Sequence, residues 1–167
     1  MITSSLEYKL ISEFYADTKA KRSGVRYMNH IDEGLAILER IGASELAKKA
    51  YCLHPIYQSD YDLFINVDNY KIDSDVMLRV IEYRSVANEY LSFREIMSCF
   101  DIRLSPLKDV NDMLIADKIQ NRKDFELYHK GKHQRSKELD RYFIKWCQRL
   151  GITEEKYQNY KNQLING

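Results

Sequence analysis

The chain carries two histidines and an aspartate, His30, His54 and Asp117, on three well-separated stretches of sequence. Two imidazoles and one carboxylate are a ligand set for manganese, iron or zinc that leaves positions open for water and substrate. Such a set suits metal-assisted hydrolysis. With iron it also suits a non-haem oxygenase, whose signature would be iron in the purified protein and oxygen uptake. His129 and His133 are four apart, but Gly131 lies between them and argues against one continuous helix face. Their string, HKGKHQR, reads as a solvated basic face; the sharper alternative is a phosphate-contacting patch with Lys118, Arg122 and Lys123. Arg79, Arg84 and Arg94 read as helix-surface charges. There is no GxxxxGK[ST] loop and no GxSxG elbow, which argues against P-loop and nucleophile-elbow enzymes.

The elements that would position these residues are helices. Ser4 or Ser5 caps a helix expected to run to about Lys19, with Leu6, Leu10, Ile11, Phe14 and Tyr15 at helical spacing. A basic turn, Lys21-Arg22-Ser23-Gly24, follows. Ile31, Leu35, Leu38 and Ile41 form one stripe of a helix from Met28, with Gly42 just past its end. Ser44 caps Glu45 to Leu53, and Pro55 predicts a bend at His54. The stretch from Tyr57 to Lys71 reads as a loop. Ser74 starts a helix to about Leu91. Ser105-Pro106 reads as a cap with proline at the first helical position, opening a helix to about His129 that Gly131 closes. Asp109 and Asp112 near its start complement its dipole. His133 to Leu150 is amphipathic, with Phe143, Trp146 and Leu150 on the core stripe, and Thr153 caps a last helix ending near Leu164. The expectation is an all-α, single-domain helical bundle over 1–167 with about seven helices.

Composition agrees with one soluble domain: 167 residues, 44% hydrophobic and 31% charged. Lys+Arg is 26 and Asp+Glu is 25, so the net charge is only +1 and does not draw the chain to nucleic acid or an anionic membrane. The N-terminal segment is polar and lacks a signal-peptide core, and no apolar run approaches a membrane span. The three cysteines are far apart and form no CxxC pair, so they read as idle thiols in a reducing cytoplasm. The 13 tyrosines read as packing groups with hydroxyls at the rim. The expected location is cytoplasmic, and the expected partner is a nucleotide-like small molecule, with a homo-oligomer left open.

Four strings occur in order: KRSGVRYMNHIDEGLAIL, AYCLHP, LIADKIQN and CQRLGI. Over about Lys19 to Ile152 they resemble the hydrolase domain of the RelA/SpoT family of alarmone enzymes, within the HD-domain phosphohydrolases. The resemblance implies an α-helical bundle that uses a divalent metal, typically manganese, to remove pyrophosphate from the 3′ position of guanosine tetra- or pentaphosphate. It implies metal ligation by His30, His54 and Asp117. It places Lys21, Arg22 and Ser23 in a basic turn against the base, and Asn121 on the nucleotide. The chain also departs from the pattern. Pro55 stands where the family keeps a second metal-binding aspartate. Gln58 and Ser59 stand where it keeps the acidic pair that handles the attacking water, and an amide is no general base near neutral pH. Asp60 or Asp62 would have to act in their place. Two readings follow: a three-ligand phosphohydrolase, or a catalytically degenerate module that binds a nucleotide or a partner protein.

Overall fold

Short polar caps start most of the helices, and apolar residues at three- and four-residue spacing bury one side of several of them, α2 and α7 most clearly. The computed structural model describes residues 1–91 and 96–166, so the expectation for Arg94 lies outside the described residues. These form eight α-helices: α1 Leu6–Tyr15, α2 Met28–Arg40, α3 Glu45–Leu53, α4 Asp60–Asn66, α5 Ser74–Glu89, α6 Lys108–Asp124, α7 Ser136–Arg149 and α8 Glu154–Asn166. The expected all-α architecture holds, and no β-strand occurs among the described residues.

Several caps are those anticipated. Ser5 Oγ accepts from the Tyr8 amide at 3.1 Å, Ser44 Oγ from Ala47 at 3.0 Å, and Thr153 Oγ1 from Lys156 at 3.2 Å. Each satisfies an amide that the first helical turn leaves unpaired.

Several boundaries differ from the expectation, and α7 opens at Ser136 rather than at His133. First, α1 stops at Tyr15 rather than near Lys19, because Ala16 turns the chain at φ 44°. Thr18 to Tyr27 then folds into a loop pinned by an isolated Lys19–Arg26 bridge, with the basic turn at its tip. Second, the expected loop from Tyr57 to Lys71 contains α4. Ser59 caps it by accepting from the Asp62 amide at 2.9 Å, and it is the eighth helix against an expectation of about seven. Third, Pro106 precedes α6 instead of occupying its first turn. The Asn111 side chain accepts from the Ser105 amide at 3.0 Å and donates to the Ser105 carbonyl at 2.8 Å, which fixes that entry. Fourth, α6 gives way after Asp124 to a π-helical turn, Phe125–His129.

The core is one continuous cluster in which α6 packs against α2, α3, α5, α7 and α8. Trp146, Tyr51, Ile31, Leu38 and Met113 are fully buried in it. Burying each such side chain stabilises the fold by about 1.5–3 kcal/mol. Cys52 and Cys147 are buried free thiols. No helix among the described residues is long and apolar enough to cross a membrane.

Candidate metal centre

The site is built where α2, α3 and α6 converge. His30 lies in the first turn of α2, His54 follows the last residue of α3, and Asp117 sits in the middle of α6. His54 keeps helical backbone geometry (φ −54°, ψ −35°) despite the proline after it, where non-helical geometry was expected; it begins a 3-10 turn, His54–Tyr57, and its imidazole is buried. Tight burial of α2 on α3 depends on Gly34, since a Cβ there would lie 2.1 Å from the Tyr51 hydroxyl. The Tyr51 ring lies 5.7 Å from that of His30 and 4.7 Å from that of His54, and Tyr83 closes the other side of His54 at 4.8 Å.

Hydrogen bonding assigns the tautomers. His54 Nδ1 lies 2.6 Å from the Tyr51 carbonyl, which only accepts, so Nδ1 carries the proton. His30 Nδ1 lies 2.6 Å from Gln120 Oε1. The Gln120 amide nitrogen donates to Glu33 at 2.9 Å and Asp124 at 2.8 Å, so its oxygen is the atom turned to His30. His30 Nδ1 therefore also carries the proton. The two Nε2 atoms face each other at 3.1 Å. Asp117 Oδ1 lies 3.6 Å from one and 3.9 Å from the other.

His30 Nε2, His54 Nε2 and Asp117 Oδ1 converge on one point, all within 4.8 Å of one another. Ligands about 2.1 Å from a shared cation are separated by roughly 3.0–3.4 Å at near-right or tetrahedral angles. The nitrogen pair fits this, and the carboxylate oxygen needs to move by only a few tenths of an ångström. These residues therefore fit a divalent metal.

The electrostatics match. Burial pulls the His54 imidazole down, aided by His30, to about 3, so it is held neutral as a ligand must be. Burial alone would raise the Asp117 carboxyl, but the Lys118 ammonium and then the two imidazoles outweigh it and hold it at about 2. Lys118 Nζ lies 2.8 Å from Asp117 Oδ2 and 4.9 Å from the Trp146 ring centre. Burial opposes its charge, yet Asp117 more than offsets this and raises its pKa.

The triad opens onto a cleft of about 930 Å³. Lys21, Arg22, Ser23 and Asn121 all line it. Lys21 and Arg22 are exposed, and neither has an ion-pair partner among the described residues. Asn121 Nδ2 donates to Asp117 Oδ1 at 2.7 Å, so it also orients the ligand carboxylate. His129 and His133 line the cleft too, carried there by the π-helical turn and the loop after it. Arg122 and Lys123 do not join them: both are buried, Arg122 paired with Glu126 and Glu154, Lys123 with Glu33 and Asp124. Arg79 pairs with Asp109 at 2.6 Å and Arg84 with Asp60, both away from the cleft.

Asp60 and Asp62 are not brought to the site. Asp60 opens α4, with its carboxylate almost wholly in solvent against Arg84, and Asp62 bonds the capping Ser59 hydroxyl. Helix formation by α4 fixes both side chains in its first turn, where they serve the dipole and the cap. Pro55 and Gln58 do line the cleft, and Gln58 is tied to Asn88.

Sequence reasoning missed Gln120, Glu33, Asp124, Tyr51 and Tyr83. The signal for the first three was present. Asp117, Gln120, Asn121 and Asp124 recur at helical spacing, a polar stripe on a helix otherwise buried among apolar neighbours, and His30 and Glu33 face it one turn apart.

Fold and site together define an all-α protein with a two-histidine, one-aspartate candidate metal centre in an open cleft. Comparison with protein-family models, with curated proteins and with solved structures found no match.

Proposed function

We propose that this protein is a metal-dependent phosphohydrolase acting on a nucleotide-like phosphate ester, with His30, His54 and Asp117 as metal ligands. The observation that carries the reading is the pair of Nε2 atoms 3.1 Å apart beside a buried carboxylate. Manganese, iron and zinc all accept two imidazoles and a carboxylate. A bound cation of this kind acidifies a water and polarises a phosphoryl oxygen. The residues around it supply the rest. Lys21 and Arg22 hold anionic oxygens at the mouth, and Ser23 adds a hydroxyl on the same turn. Asn121 and Lys118 keep the Asp117 carboxylate aimed at the centre. In hydrolysis the water oxygen bonds to phosphorus, the ester P–O bond breaks, and the leaving oxygen takes up a proton.

A second reading is a catalytically degenerate module of the same shape that binds a nucleotide or a partner protein. It draws on a specific observation: the cleft wall carries Pro55 and Gln58, while Asp60 and Asp62 lie outside it.

Metal analysis of the purified protein, with phosphate release from guanosine tetraphosphate and common nucleotides under added manganese, separates the two. Bound metal and turnover abolished by His54→Ala support the hydrolase. Bound nucleotide without turnover supports the module. Absence of any bound divalent metal defeats the metal centre itself.

A further inference from the structure

The two histidines reach the same point by different means. His54 is oriented by the main chain, because its Nδ1 proton goes to the Tyr51 carbonyl of its own helix. His30 has a side chain as its Nδ1 partner, the oxygen of Gln120 at 2.6 Å. Gln120 is fully buried, and all its polar atoms are engaged. Its amide nitrogen is claimed by Glu33 and Asp124, and ionised carboxylates accept only. Turning the amide over would set its oxygen against two anions and its nitrogen against an N–H. Lys123 Nζ holds those anions in place, 2.8 Å from Glu33 and 2.7 Å from Asp124. A Lys123–Glu33/Asp124–Gln120–His30 relay thus spans α2 and α6.

We infer that Gln120 is the positioning residue of the metal centre: it locks His30 in the Nδ1–H tautomer, so that Nε2 offers its lone pair beside His54. This rests on the metal reading above and deepens it. Without Gln120, the proton of His30 is free to move to Nε2 and bond to His54 Nε2 3.1 Å away, which closes the site against a cation. A neutral amide suits the position better than a carboxylate, which would add a third anion beside Glu33 and Asp124. Loss of such an outer partner lowers metal affinity by roughly 10- to 100-fold.

The test combines two readouts on metal-free and zinc-titrated protein. Long-range proton–nitrogen spectra report the tautomer of each imidazole, and competition with a chromophoric chelator reports zinc affinity. In the wild type, His30 is expected as Nδ1–H. In Gln120→Met, His30 is expected to populate Nε2–H while His54 stays unchanged, with zinc binding weaker by roughly 10- to 100-fold. Glu33→Gln removes one of the two anions that hold the amide and is expected to give a smaller loss in the same direction. A general packing role for Gln120 would not move the tautomer of one histidine alone. Unchanged affinity in Gln120→Met, or wild-type His30 already protonated on Nε2, overturns the inference. Should Gln120→Met fail to fold, the wild-type spectrum and Glu33→Gln still decide it. Wild-type protein that binds no zinc at all overturns the metal reading and this inference with it, whereas tight wild-type binding without loss in the variants overturns the inference alone.

Discussion

Asp117 is the residue on which both the charge balance and the ligand set turn. Its carboxylate balances Lys118 on one oxygen and faces the histidines with the other. Asp117→Asn leaves a buried ammonium without a counter-charge, a loss expected at about 3–5 kcal/mol. Urea unfolding checks this, and adding Lys118→Met should recover part of it; equal stability of Asp117→Asn and wild type would refute the pairing. The same residues set a pH response. The His54 imidazole has a folded value near 3, against 6.5 when free. As pH falls below 6.5 the unfolded chain takes up a proton that the folded chain refuses, so stability drops until about 3. Asp117 acts in the same direction: its stabilisation is present above about 3.8 and lost as pH falls towards 2. Each group contributes a slope of at most about 1.4 kcal/mol per pH unit. Urea midpoints of chelator-treated protein should therefore fall from neutral pH downward, and His54→Gln should flatten the upper part of that fall.

At the scale of elements, two backbone positions govern how helices bring the ligands together. Gly34 lets the Tyr51 ring lie against α2. In Gly34→Ala the new methyl group meets that ring, and overpacking of this kind costs about 1–3 kcal/mol. The displaced ring takes His30 and His54 out of register, so zinc affinity should fall together with the melting temperature. Normal zinc binding in a folded Gly34→Ala would show that Tyr51 does not set the spacing. Ala16 poses the opposite case. It ends α1 at φ 44°, a region costly for a residue with a Cβ. Ala16→Gly removes that strain and should raise stability by about 1 kcal/mol, read as a higher urea midpoint. The helices themselves were largely legible in the chain, since Ser5, Ser44 and Thr153 cap as their types demand and Gly42 and Gly151 terminate at positive φ. α4 was not. Its polar residues satisfy a loop and a short capped helix equally well, and only packing beside the 3-10 turn at His54–Tyr57 selects the helix. The π-helical turn carried no local mark either.

At the scale of the whole molecule, one cleft is lined both by the exposed Lys21 and Arg22 of a single loop and by the His30, His54 and Asp117 triad. The double variant Lys21→Ala/Arg22→Ala should weaken nucleoside polyphosphate binding by about 1.5–3 kcal/mol for each charged contact removed. The loss should shrink as salt is added, and the melting temperature should stay put because both side chains are exposed. Calorimetric titration at low and high salt reads this, and undiminished binding would remove the loop from the site. The residue types His30, His54 and Asp117, their order, and the helices that bear them were determined by the sequence alone, because caps and apolar spacing act over a few neighbours. Three matters were decided only by tertiary structure: that the two Nε2 atoms face each other, that Gln120 holds one of them there, and that Asp60 and Asp62 stay outside the cleft. Each depends on separations between residues distant in the chain, and the packing of α2, α3 and α6 around their shared core sets those distances.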